Sequence, residues 1–170
     1  DHTRLRRVVS KAFTPRTTRT WEGMARNIAA ELVEGYAAEG GGDWVEKVAA
    51  PLPIRVILAI LGVPAEDAEY MVELTNHLVE GTGEGSSLPE DAYGNTTPTR
   101  LLPFNSPASH ALYEYAEKMR RLRMDQSGDD LVTSLLEAEA DGERLTAAEY
   151  RNFFQLLVFA GNETTRTAMI

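Results

Sequence analysis

The 170-residue sequence contains no cysteine, only three histidines, and no apolar run near the ~20 residues that a membrane span requires. Without cysteine these residues hold no disulfide framework, no thiolate metal site and no cysteine nucleophile. The longest apolar stretches, Val56 to Val63 and Leu156 to Gly161, suit buried segments and not a bilayer, so the chain reads as soluble and cytoplasmic. A start methionine and a signal peptide are also missing, and Asp1 opens directly on a charged, helix-like segment, as expected of a piece of a longer polypeptide. Strand patterning is scarce, and no internal repeat or low-complexity tract is visible.

What is present suits one ordinary domain or part of a larger one: 43% of residues are hydrophobic and 25% charged, enough for a core and too apolar for disorder. The net charge of −9 is unevenly placed. Residues 1–20 carry six bases (Arg4, Arg6, Arg7, Lys11, Arg16 and Arg19) and one acid, whereas the remainder carries eleven bases and 25 acids. An acidic body with one basic end speaks against general nucleic-acid binding and for a local anionic partner at that end.

Apolar spacing predicts six or seven helices. The first runs from about Thr3 to Phe13 and stops at Pro15. In the second, Trp21, Met24, Ala25, Ile28, Ala29, Leu32, Val33 and Tyr36 form a stripe of about four turns that must bury one face, ending at Gly40-Gly41-Gly42. Further helices are expected over Pro53 to Leu61, Ala65 to Val79 and Ser109 to Met124, then a shorter one capped by Asp129 or Asp130 and ending near Gly142. Residues 81–107, with four glycines and half of the eight prolines, are too long for an ordinary connection and suggest a lid or binding loop. Thr146 and Glu149 form a capping box for a last helix that is still running at Ile170 and is apolar nearly all round through Phe153 to Phe159.

Two constellations carry chemistry. Ala160-Gly161-Asn162-Glu163-Thr164-Thr165 sets a glycine and a carboxylate in the middle of a helix expected to be buried, where both are costly. Glycine lets a flat or small ligand approach the backbone, and the Thr164 hydroxyl can capture the Ala160 carbonyl and bend the helix. The Glu163–Thr164 pair then suits proton delivery beside a pocket. A plain helix kink, with the glutamate paired to a distant arginine, fits the same residues.

In the first helix, His2 and Arg6 lie one turn apart beside the apolar positions Leu5, Val8, Val9 and Ala12, so they could jointly grip an anionic group. Arg4, Arg7 and Lys11 fall on a separate, solvent-facing stripe. Ordinary solvated charges on an amphipathic surface helix would leave the same pattern. Trp21 and Met119 fit core stripes, and His77 and His110 have no metal-ligand spacing.

Taken together, His2-Thr3-Arg4-Leu5-Arg6-Arg7 with Ala12-Phe13-Thr14-Pro15-Arg16 resembles the C helix of bacterial cytochromes P-450. Asp129-Asp130-Leu131-Val132, Leu145-Thr146, Glu149 and Ala160 to Thr165 resemble their H-to-I helix segment, with its A-G-x-[DE]-T-[TS] signature. The resemblance spans nearly the whole chain in order and spacing, and its I-helix sequence is closest to steroid- and terpenoid-oxidising members.

The resemblance implies an all-α fold, the central part of a cytochrome P-450 from helix C to helix I, as one partial domain over residues 1–170 with an F–G type lid at 81–107. It implies a haem-dependent monooxygenase that activates O2 and hydroxylates a hydrophobic small molecule of steroid, terpenoid or fatty type. The cofactor would be haem b, iron protoporphyrin IX, with His2 and Arg6 on its propionates and Ala160, Gly161 and Thr164 over its oxygen-binding face. Glu163 and Thr164 would be the catalytic proton-delivery pair, and Leu156, Phe159 and Ala160 would meet substrate. Arg4, Arg7 and Lys11 would dock a ferredoxin served by an NAD(P)H-dependent ferredoxin reductase, with no nucleic-acid or membrane partner.

The family's cysteine ligand and its E-x-x-R pair lie beyond the matched region, so these residues alone are expected to be inactive. The competing reading is an all-helical ligand-binding regulatory domain whose basic first helix contacts DNA. The overall acidity and the lack of a compact helix-turn-helix count against it.

Overall fold

In the computed structural model, residues 2–80, 107–140 and 142–169 are described, with backbone alone at residues 2, 79–80, 107, 140, 162–164 and 166–167. Among the described residues the chain folds into seven α-helices: α1 (His2–Ala12), α2 (Pro15–Ala38), α3 (Pro51–Leu61), α4 (Ala68–Glu80), α5 (Pro107–Asp125), α6 (Leu131–Glu137) and α7 (Ala147–Thr167). A π-helical turn (Val45–Ala49) leads into α3, a 3-10 turn (Ala65–Asp67) leads into α4, and a two-stranded antiparallel hairpin, β1 (Glu139–Ala140) with β2 (Glu143–Arg144), links α6 to α7. The segment read as a lid, 81–107, lies outside the described residues except for Pro107 at the start of α5.

Local chemistry sets the ends of these helices. Pro15 and Pro107 stand in the first turns of α2 and α5, where the missing N–H leaves no helical bond unmade. Pro15 therefore starts a helix as well as excluding one, and α2 begins a turn and a half before the stripe read from Trp21. Thr14 caps it reciprocally with Thr17, each side chain bonding the other's backbone N–H at 3.2 and 2.9 Å. Asp130 caps α6, accepting from the Thr133 N–H at 2.8 Å. The Thr146–Glu149 box opens α7, with bonds of 2.9 and 3.2 Å. Gly62, with φ of +71°, closes α3 in a left-handed conformation that L residues rarely adopt.

α7 is the axis of the core. Its Tyr150, Phe154 and Val158 are fully buried against Ile54, Leu58 and Leu61 of α3, Leu112, Ala116 and Met119 of α5, and Met71, Leu74 and Leu78 of α4. Gln155 is buried as well and donates to Ser109 Oγ at 2.5 Å, a polar tie between α7 and α5. A second tie joins three elements: Arg123 of α5 pairs with Asp130 at 2.5 Å and donates to the Gly62 carbonyl at 2.8 Å.

Three expectations are corrected. α2 fully buries no residue, because its main packing partners, α3 and the π-helical turn, cover its apolar stripe in part; Trp21, Met24, Ile28 and Leu32 are half-buried and Val33 is exposed. The helix begun at Leu131 stops at Glu137 and gives way to the hairpin turning at Gly142 (φ +80°). α7 ends at Thr167 in a turn, so it runs for about 31 Å instead of continuing to the end of the sequence.

Candidate functional site

A cleft of about 460 Å3 opens between α1 and α7, lined by Leu5, Arg6 and Val9 of α1, Leu145 before α7, and Glu149, Asn152, Phe153 and Leu156 of α7. α1 is seated by Val8 and Ala12, both buried. Val8 packs with Ala138 and Leu145, and Ala12 joins the main core. The next faces of the same helix, Leu5 and Val9, then form one apolar wall, with Arg6 exposed beside them. On α7, positions 149, 152, 153 and 156 follow helical spacing and form the opposite wall. Leu156 is 51% exposed, an apolar side chain facing open space midway along the helix that forms the axis of the core.

The polar groups around this cleft are largely engaged. Glu149 accepts from the Thr146 N–H and hydroxyl, and Arg4 Nη2 donates to it. The Thr146 bond, reinforced by Arg4, holds the Glu149 carboxyl below the usual carboxylate range. Arg4 also stands 3.3 Å from Glu143 and donates to the Arg144 carbonyl at 3.4 Å. Asn152 accepts from Tyr113 of α5 at 2.6 Å. Arg6 therefore brings a guanidinium to a cleft that is mainly apolar and whose other polar groups, Glu149 and Asn152, are engaged within the chain, and the arrangement suits a flat amphiphile with carboxylates at one edge.

The residues expected at the site divide into three sets. Arg6 and Leu156 line the cleft together, and Ala160 is exposed one turn further along α7. Phe159 packs half-buried against the core and does not line the cleft, while Gly161 turns its missing Cβ toward Ile57 of α3. The side chains of His2, Glu163 and Thr164 lie outside the described residues, although the backbone is helical at all three.

The solvent-facing stripe needs a correction. Arg7 and Lys11 are exposed, but Arg4 is half-buried and braced by two carboxylates, because the β1–β2 hairpin and the first turn of α7 fold against its side of α1. Lys11 also reaches the Glu139 carbonyl. Sequence reasoning missed Glu149 as a wall residue, along with Asn152 and Phe153. Their spacing with Leu156 is the signal that could have found them. Among the described residues no group of histidine, aspartate and glutamate could hold a metal ion, and no helix is long and apolar enough to cross a membrane.

No family model matches the chain. It is 37% identical over 169 residues to a steroid C26-monooxygenase of Mycolicibacterium smegmatis, covering 99% of this chain and 36% of that protein. It is 36% identical over 173 residues to a methyl-branched lipid omega-hydroxylase of Mycobacterium bovis, covering 99% and 37%. The chain thus spans little more than a third of the length of the curated relatives it matches. Among solved structures, the cytochrome P-450 PksS of Bacillus subtilis superposes with a TM-score of 0.81 and 34% identity, covering 98% of this chain and 39% of that one.

Proposed function

This chain belongs to the cytochrome P-450 family, and from that premise we propose that it forms the helix C to helix I part of a haem-dependent monooxygenase acting on a hydrophobic small molecule. The observation that carries the reading is the cleft between α1 and α7, in which Leu5, Val9, Leu145, Phe153 and Leu156 are apolar, Glu149 and Asn152 are already hydrogen-bonded within the chain, and the Arg6 guanidinium stands at the side. Haem b has those two properties, a large apolar plate and two propionates on one edge, so the residues present fit it. Arg6, with His2 one turn before it, would hold the propionates through charge-assisted hydrogen bonds. Ala160 and Thr164 would border the oxygen-binding face.

When bound, the haem supplies the splitting of O2: two electrons and two protons enter, one oxygen atom is inserted into a substrate C–H bond and the other leaves as water. The chain's own residues would do the rest. Glu163 can collect protons from solvent and Thr164 can hand them on, the roles an acid and an adjacent alcohol suit. Leu156, with Ala160, would give substrate an apolar wall and keep bulk water out. Relatives named for steroids and for methyl-branched lipids support a substrate of that kind.

Electrons would come from a ferredoxin and its NAD(P)H-dependent reductase, docking at the exposed Arg7 and Lys11, with Arg4 already compensated inside the chain. Since these 170 residues contain no cysteine, the iron's thiolate would come from polypeptide outside them, and this chain alone would be inactive. The regulatory-domain alternative loses its main support, because the cations of α1 that would meet DNA phosphates are partly spent on Glu143, Glu149 and the Glu139 carbonyl.

The test compares the full-length protein with its Thr164→Ala variant. Reduced under carbon monoxide, the parent should show the shifted Soret band of a thiolate-ligated haem. The variant should keep that band but release peroxide in place of hydroxylated steroid. A parent without the shift would overturn the monooxygenase reading, and unchanged coupling in the variant would remove Thr164 from proton delivery.

A further inference from the structure

We infer that Gly161 is a positioning residue: its missing side chain receives Ile57 of α3, and this contact sets how far the 160–164 turn of α7 stands toward the cleft. The inference rests on the function proposed above. A Cβ on Gly161 would lie 3.2 Å from Ile57 Cγ1 and 3.4 Å from both Ile57 Cβ and Cδ1. Optimal carbon–carbon contact is about 3.5–4.0 Å, so the place of a methyl group is already taken.

Neither side of this contact can yield easily. Ile57 is β-branched and on a helix holds essentially one rotamer, and its Cβ is fixed by the backbone. The flanking residues are locked: Ile54, Leu58 and Leu61 on α3 and Phe154 and Val158 on α7 are all buried in one cluster. The opposite side of α7 is open, with Leu156 and Ala160 exposed. A methyl group at 161 would therefore push the end of α7 away from α3, toward the cleft.

The other two described helical glycines provide the contrast. At Gly23 and Gly35 of α2 an added Cβ would meet nothing within 4 Å. There alanine should help, since glycine weakens a helix interior by its backbone freedom. Only at 161 does the space for a side chain belong to another helix.

The experiment uses the full-length haem-loaded protein as parent, Gly161→Ala, Ile57→Ala, the double variant and Gly23→Ala. Thermal midpoint reads the packing, and imidazole titrated against the Soret band reads the room above the iron. Gly161→Ala should lower the midpoint by several degrees, the scale of an overpacked core, and weaken imidazole binding about threefold or more. In the Ile57→Ala background the change Gly161→Ala should produce no more than half of either loss that it produces in the parent, while Gly23→Ala leaves both readings level or raises the midpoint.

The inference is overturned if Gly161→Ala raises the midpoint as Gly23→Ala does, or if its losses persist unchanged in the Ile57→Ala background, which is the result expected of a glycine facing the cofactor. It is equally overturned if the midpoint is rescued while imidazole binding never moved, since Gly161 would then pack without positioning. A parent that binds no haem would sink the proposed function, yet the midpoint cycle between Gly161 and Ile57 would still decide the packing.

Discussion

Replacing Arg4 by alanine should loosen the brace that joins α1 to the start of α7, and the loss can be worked out contact by contact. Arg4 donates to Glu149, lies 3.3 Å from Glu143 and bonds the Arg144 carbonyl at 3.4 Å. A hydrogen bond between charged groups contributes about 1.5–3 kcal/mol when well desolvated. Here the Arg4 and Glu149 side chains keep 21% and 24% exposure, so the Glu149 contact belongs at or below the low end of that range. Glu143 is 63% exposed and adds at most about 0.5 kcal/mol. Arg4→Ala should thus cost about 1–2 kcal/mol in all.

Glu149→Ala should cost more, because it also removes the capping bonds to Thr146, which contribute about 0.5–1 kcal/mol. The double variant isolates the shared contact, and a coupling energy of about 1 kcal/mol is expected from urea unfolding of the full-length protein. The pH dependence has a definite sign. The Glu149 pKa is lowered on folding, chiefly by the Thr146 N–H, with Arg4 adding to it. Its contribution is therefore complete above the ordinary glutamate value of 4.5 and is lost as pH falls through the lower folded value. A coupling below about 0.3 kcal/mol would refute the brace. So would an Arg4→Ala variant that keeps its stability and instead loses the salt-sensitive docking of the electron donor.

Two further substitutions probe the scaffold. Asp130→Ala removes both the α6 cap and the partner of Arg123, whose side chain is only 15% exposed, and should cost about 3–5 kcal/mol; Asp130→Asn keeps a capping oxygen and should be about 1 kcal/mol milder. Equal unfolding midpoints for the two would show that the cap contributes nothing. Tyr150→Phe should be neutral or stabilise by up to about 1 kcal/mol, because the buried Tyr150 hydroxyl finds no hydrogen-bond partner among the described residues. A loss above about 1 kcal/mol in denaturant would mean that the hydroxyl is satisfied after all.

The parts of this molecule that were legible in its sequence are those governed by neighbours three or four positions apart. The Thr146–Glu149 box and the α6 cap, which falls to Asp130 of the two adjacent aspartates, each rest on local backbone chemistry, and each lies where the residues indicate. Two features differ from what spacing suggests: Pro15 both ends α1 and opens α2, since its missing N–H is harmless in a first turn, and the α2 stripe is covered only in part, because apolar spacing does not say how much protein lies over it. The all-α class and the family resemblance, both carried by short spaced motifs, agree with the fold and with the relatives.

The amino-acid order by itself thus determined the helices, their caps, the apolar and basic sectors of α1 and the family to which they belong, because each depends on short-range spacing. Tertiary structure alone decided which partners those residues meet. Arg4 and Glu149 are 145 positions apart, so nothing local could reveal that a cation on an apparent solvent stripe closes an ion pair at the mouth of the cleft. The same holds for Gly161, whose space is claimed by Ile57 on another helix. Such pairings arise only when α1, α3 and α7 bury their apolar faces together, and that packing decides which side of each helix is left to hold a ligand.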